Sequence, residues 1–235
     1  MSTYLQLCQD AARESGTVSN IGQPETTENQ TGRLLRILKW VTKAYEDIQR
    51  SQNAWRWMHA DFSAETVAAV QQYDAEAMGI NERFSRWVVH DDDGDNQFSI
   101  YKTSEGQVTE GFLNFVDWAW FRRNLMTGGQ ASKQDKPYYF SIDNENKLRL
   151  WPTPDAAYTV RGVYYKAPQS LAADADTPEM PAEFHDVIVW RALMLLGQFD
   201  EAFNQIGGWN AEYTRIMGEL RLHQLPRIQV RSTLA

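Results

Sequence analysis

A chain of 235 residues can bury one large core or two smaller ones, and its 43% apolar and 23% charged residues are ordinary for a globular protein. Its 23 basic residues against 31 acidic ones give a net charge of −8, which argues against wrapping nucleic acid or another polyanion by bulk electrostatics. A single cysteine, Cys8, excludes an intramolecular disulfide and a cysteine-rich zinc site, and fits a reducing compartment.

The opening MSTYLQLCQDAARESG has no basic region followed by an apolar run, so no secretory leader is expected there. Ser2 or Thr3 can cap a short helix with Leu5, Cys8, Ala11 and Ala12 on its apolar side, and Gly16 can end it. Residues 17 to 30 are polar, contain Gly and Pro, and read as a loop. From Thr31 the apolar residues Leu34, Ile37, Leu38, Val41, Ala44, Tyr45 and Ile48 recur at three- and four-residue steps, which predicts an amphipathic helix. Trp40 lies off this stripe and Trp55 and Trp57 follow its end.

After Trp57 the pattern shifts to short β-rich runs, among them RFSRWVVH, NQFSIYK, KPYYFSI, NKLRLWP and YTVRGVYYKAP. HDDDGDNQ between the first two predicts a hairpin turn at Asp93-Gly94 or Gly94-Asp95. FVDWAWFRRNL, residues 115 to 125, predicts a short helix ahead of the loop MTGGQASKQDK. Helix returns after Pro181 with Phe184, Val187, Ile188, Ala192, Leu195 and Leu196, and again from near Asp200 with Phe203, Ile206, Tyr213, Ile216, Met217 and Leu220. Gly207-Gly208 is expected to loosen or kink that second helix. Pro226 then blocks helix, and RIQVRST alternates like a strand. Nowhere do about 18 apolar residues run together, so no membrane span is expected.

The fold class expected is α+β: a bundle built from N- and C-terminal helices, an inserted β-rich region, and an extended C-terminal arm. The boundaries are 1–56 and 179–222 for the two parts of the bundle, 57–178 for the insertion and 223–235 for the arm. Trp55 and Trp57 then mark the exit from bundle to insertion and are read as buried there, in preference to an exposed stacking platform.

Chemistry is sparse. Placing Gly94 at the central glycine of a calcium loop puts Val89 and Ile100 at its ligand positions, so the acidic run reads as a solvated tip. His59, His90, His185 and His223 are scattered, no metal site or cofactor is expected, and Cys8 reads as a core residue. GxSxG, GxxxxGK[ST] and GxGxxG are all missing, while Glu105 with Glu110 is a carboxylate pair of the kind any acidic chain supplies. Gly128-Gly129-Gln130 reads as flexible loop. No enzyme is expected.

The order of three segments is more informative. LLRILKWVTKAYEDIQRSQNAWRWM, NKLRLWPTPDAAYTVRGVYYKAP and TPEMPAEFHDVIVWRALMLL together resemble the head-to-tail adaptors of tailed bacteriophages, the head-completion, connector and tail-tubular-protein-A-like proteins. The first match is carried by Trp40, Ala44, Tyr45, Asp47, Ile48, Gln49 and Trp57. Leu150, Pro152, Pro154, Tyr164, Tyr165, Pro168, Pro181, Phe184, His185 and Ala192 carry the others, and the similarity spans roughly residues 31 to 200.

The resemblance implies a structural virion protein at the head-tail junction, assembled in the bacterial host cytoplasm. Its implied partners are the portal, a tail, tail-terminator or nozzle protein, and further copies of itself in a twelve-membered ring, with DNA passing only as cargo. The arm would dock on the portal through Arg227, Ile228, Val230 and Arg231, and its alternation would let it add a strand to a neighbouring edge. Two other classes remain: a tail-associated peptidoglycan-degrading enzyme, and a carbohydrate- or receptor-binding module using exposed tryptophans.

Overall fold

In the computed structural model, which describes residues 1–17 and 22–226, the chain is α+β and forms two compact units. One joins Met1–Met58 to the chain from Pro168 onward, and the other is His59–Ala167.

The first unit is helical. Helix α1 (Tyr4–Glu14) begins with a capping box in which Thr3 and Gln6 exchange side-chain and backbone bonds. Helix α2 (Gly32–Arg50) buries Ile37, Leu38, Val41, Ala44, Tyr45, Ile48 and Gln49, the stripe its three- and four-residue spacing predicts, extended by one amide. Pro181 does not open a helix directly. It precedes a 3-10 turn (Ala182–Phe184) that buries Phe184, and α4 (Asp186–Phe199) follows. Helix α4 packs against α1, α2 and α5 (Phe203–Gln224), which explains why its apolar residues surround so much of it.

Helix α5 is continuous through Gly207-Gly208, whose missing side chains face open space, so the expected kink is not formed. Its buried residues are Ile216, Met217, Leu220 and Gln224, whereas Phe203 is 68% exposed. The helix runs two residues beyond Leu222 because Gln224 is buried and the His223 ring lies 5.6 Å from that of Phe184. Where α5 approaches α4, Gly197 is required: a Cβ there would stand 2.7 Å from the Trp209 ring.

The second unit is two sheets with one core between them. The first sheet centres on β9 (Tyr158–Lys166). Along one side of β9 runs β1 (His59–Glu65); along the other lie β4 (Ser99–Lys102) and β3 (Phe84–Val88), one after the other, with β5 (Gly111–Phe112) outside β4. The second sheet has the order β2 (Gln72–Tyr73), β8 (Leu148–Trp151), β7 (Tyr139–Ile142), β6 (Asn114–Phe115), with β6 and β7 parallel. Phe62, Trp87, Phe98, Ile100 and Val160 from the first sheet meet Tyr73, Phe140, Leu148 and Leu150 from the second. Gly162 admits the Phe62 ring, which a Cβ would approach to 2.8 Å. Helix α3 (Trp118–Leu125) starts where Asp117 accepts the Ala119 N–H, and packs Phe121 and Leu125 with Trp151.

The hairpin turn expected at Gly94 forms, but it does not pair β3 with β4. The turn has Gly94 at φ +89 and an isolated bridge between His90 and Asn96, while both strands pair with β9 instead of each other. A nine-residue central strand offers each of them more pairing than the other could.

Candidate functional site

The motif residues on α2 face a polar strap that follows Ala167. Gln49 is 1% exposed, and its side chain makes a reciprocal pair with the Gln169 backbone: Nε2 donates to the carbonyl at 2.8 Å, and Oε1 accepts the N–H at 2.7 Å. One turn earlier, the Tyr45 hydroxyl donates to Gln169 Oε1 at 2.9 Å and accepts the Glu179 N–H at 2.9 Å. Thr42 donates to the Leu171 carbonyl at 3.1 Å, and Asp174 accepts from the Thr27 N–H at 2.6 Å. Residues 168–180 therefore belong with the helices, because their backbone polar groups find partners there.

Asp47 pairs with Arg191 of α4 at 2.9 Å, and Trp40 sits 5.5 Å from the Phe199 ring, over which Arg36 stacks at 3.8 Å. Trp55 is fully buried, stacks on Trp57 at 4.4 Å and donates from Nε1 to the Ile48 carbonyl at 3.1 Å. The pair of tryptophans thus closes the C-terminal end of α2. Trp57 is half-buried, and its Nε1 has no partner among the described residues. His185 is 1% exposed; Nδ1 accepts the Ser2 N–H at 3.2 Å while Nε2 faces the Met180 carbonyl at 3.1 Å. Burial holds its pKa below the usual imidazole value.

Pro152 lies in the other unit, in a cis peptide after Trp151 at the end of β8, and is buried. So the motif residues on α2, together with Pro168, Pro181, Phe184, His185 and Ala192, lie in the helical unit, whereas Leu150, Pro152, Pro154, Tyr164 and Tyr165 lie in the other. Gln169 and Arg191, the main partners of the α2 residues, were not singled out in the sequence; both pairings are distant in sequence, and the only local signal is a polar side chain in an otherwise apolar setting. Arg227, Ile228, Val230 and Arg231 lie outside the described residues.

No three His, Cys, Asp or Glu side chains gather as metal ligands among the described residues. In the acidic tip, Asp91 accepts the N–H groups of Asp93 and Asp95, so that carboxylate shapes the turn. Cys8 is fully buried and its thiol is pushed up to about 12 by burial. Glu105 pairs with Lys102 at 2.8 Å, whereas Glu110 accepts from Ser99 at 2.5 Å and faces Arg161 at 3.5 Å, so the two carboxylates serve separate contacts. Gly128–Gln130 forms a 3-10 turn that offers the Gln130 carbonyl to Trp151 Nε1 at 3.0 Å.

What faces solvent is of a different kind. On the outer side of the first sheet, two adjoining clefts of about 430 Å³ and 260 Å³ lie along Glu65, Ser63 and Asp61, with Arg161 and Glu110 in the smaller one. Val108 and Phe112 are 96% and 71% exposed beside them. Of the nine tryptophans Trp120 alone is exposed. These surfaces suit contact with other chains more than enclosure of a small molecule. No helix among the described residues is long and apolar enough to cross a membrane.

No curated protein matches the chain. Residues 2–234 match the family model described as SU10 adaptor protein.

Proposed function

Because the chain belongs to the SU10 adaptor protein family over nearly its whole length, we propose that it is a structural protein of the head-tail junction in a tailed-phage virion. It assembles into a ring, of twelve copies, that docks on the portal, joins it to a tail or nozzle protein and leaves a channel through which DNA passes. The arm carrying Arg227, Ile228, Val230 and Arg231 makes the portal contact. The family match over residues 2–234 is the observation that carries this reading.

Two further features support it. The motif residues act as internal ties, as they would in a component whose task is to hold shape under load, and the carboxylates Glu105 and Glu110 are engaged in separate contacts. A net charge of −8 suits a conduit, since negative walls repel DNA in transit. Strong, salt-dependent binding of duplex DNA by the assembled ring would count against that last point.

The test is capture from phage-infected cells with tagged full-length protein and with a version ending at Leu225, which leaves α5 whole. Recovery of portal or tail components by the full-length chain alone supports the reading and the role of the arm. Equal recovery by both assigns the contact to the folded body, and recovery of no virion component by either refutes the adaptor role.

A further inference from the structure

Among the described residues β1 pairs only with β9, which leaves its other side open. Which backbone groups point there follows from the register. Thr66 donates its N–H to the Tyr158 carbonyl at 2.7 Å, at the position that continues the β1–β9 ladder. Bonded and non-bonded pairs alternate in an antiparallel ladder, so Ala60, Phe62 and Ala64 bond to β9 while His59, Asp61, Ser63 and Glu65 turn their N–H and C=O groups outward. The far side of β9 obeys the same alternation, because Thr103 donates to the Ala157 carbonyl at 3.2 Å in the register of Ser99↔Arg161 and Tyr101↔Thr159.

The remaining borders are poorer templates. β2, β5 and β6 have two residues each, and β3 is bulged between Phe84 and Arg86 with its Ser85 carbonyl taken by Asn146 at 3.0 Å. β1 has seven residues in regular pairing. Its Asp61, Ser63 and Glu65 are exposed on the outer face, whereas Phe62 and Ala64 belong to the core face. Charges on an edge strand keep it from pairing with its like. Here they also select what can pair.

Asp61 and Glu65 stand four residues apart on one face with Ser63 between them. The sequence 227–231, RIQVR, carries the same spacing in the opposite sign: Arg227 and Arg231 flank Gln229, and Ile228 and Val230 alternate with them. If Gln229 stands opposite Ser63 in an antiparallel pair, Arg227 meets Glu65 and Arg231 meets Asp61. Ile228 and Val230 then meet Ala64 and Phe62 on the core face. A slip of one residue turns both arginines onto the apolar side, and a slip of two leaves both carboxylates without an arginine opposite.

We propose that, before the protein docks on a portal, residues 227–231 of one copy add as a strand to the β1 edge of a second copy, with Arg227 and Arg231 against Glu65 and Asp61. The choice of a second copy rests on the ring reading above, since one donor segment and one acceptor edge per chain is what a closed heterologous ring requires. The same arginines cannot serve this edge and a portal at once, so the pairing belongs to the portal-free protein.

The test uses full-length protein carrying Cys8→Ala. Ser63→Cys and Gln229→Cys chains with different tags are mixed, oxidised mildly and separated without reductant; facing residues of paired strands lie within disulfide range. The expected mixed disulfide exceeds by roughly tenfold that obtained when Asp93→Cys, in the exposed acidic tip, replaces Ser63→Cys. It falls to that background with Asp61→Lys/Glu65→Lys and returns when those chains meet Arg227→Glu/Arg231→Glu. A yield at background, or one indifferent to charge reversal, overturns the proposal. So does a Ser63→Cys/Gln229→Cys chain that closes on itself in preference to a partner, a result that leaves the portal-capture outcome untouched.

Discussion

Replacing Gln49 by Leu tests whether the strap is held as its geometry implies. Leu keeps most of the volume, so the cavity contribution is small and the loss is polar. Two hydrogen bonds to the Gln169 backbone disappear, at 2.7 and 2.8 Å, each worth about 1 kcal/mol net. The Gln169 N–H and C=O then stand beside an apolar side chain; because Gln169 is half-buried, water relieves part of their penalty, and about 1 kcal/mol more is expected. A total of roughly 2–3 kcal/mol corresponds to a fall in Tm of about 5–10 °C for a chain of this size. Thermal unfolding followed at the helical ellipticity band reads this unit, and hydrogen exchange at Gln169 and Glu179 localises the loss. Gln169→Ala is the control: it removes the bonds of its own amide to Tyr45, Glu179 and Thr177 but keeps both backbone bonds to Gln49, so exchange protection of the Gln169 N–H should survive in it and be lost in Gln49→Leu. A Tm change under about 2 °C in Gln49→Leu, or protection of the Gln169 N–H that is lost equally in both variants, refutes the assignment.

Gly162→Ala drives a methyl group to 2.8 Å from the Phe62 ring and is expected to cost about 1–3 kcal/mol, with part recovered by Phe62→Leu, as a shift of urea midpoint will show. Burial pushes the Asp143 carboxyl up, but bonds from the Lys147 N–H, Arg149 and the Glu145 N–H outweigh it and hold the group below the usual value. That stability is present above the unfolded aspartate pKa and is lost as pH falls through the folded value, so acid unfolding of the β-rich unit below about pH 4 should flatten in Asp143→Asn. His185 is also depressed, by burial, and its Nδ1 faces the Ser2 N–H; protonation favours the unfolded chain, so the helical unit should lose stability as pH drops below about 6.5, and His185→Gln should remove that slope.

Much of the helical unit was legible because its signals are local. The capping residue of α1 and the stripe of α2 lie within a few turns of the residues they organise. Helix α4 began later than Pro181 implied, since a 3-10 turn could bury Phe184 first, a choice made by the surrounding core. For α5 the apolar spacing was real: Ile206 and Trp209 meet α4 at Gly197 and the second half carries the buried residues, but Phe203 at the helix start stays exposed. The turn at Gly94 was legible, whereas the pairing of the strands that flank it was not. An Asp-Gly turn signals reversal of the chain, but it says nothing of a longer strand, about sixty residues on, that both flanking strands prefer. The strap was invisible because the bonds that tie it to α2 join residues more than a hundred positions apart, such as Gln49 with Gln169.

The motif residues and the arm call for different kinds of evidence. Trp40, Tyr45, Asp47 and Gln49 meet Phe199, Gln169 with Glu179, Arg191 and Gln169 in turn, all within the helical unit. A pattern that specifies such ties specifies a fold and is blind to what the fold touches. Partner choice has to be written elsewhere, on exposed positions such as Val108 and Phe112, or on the arm. Losses of partner capture in Tyr45, Asp47 or Gln49 variants should therefore track the drop in Tm and vanish at temperatures where the variant is folded. Substitution of Arg227 or Arg231 should abolish capture with Tm unchanged. A Gln49 variant that stays folded but no longer captures virion proteins would place the motif in the interface after all, and the separation between fold-specifying and partner-specifying residues would fall with it.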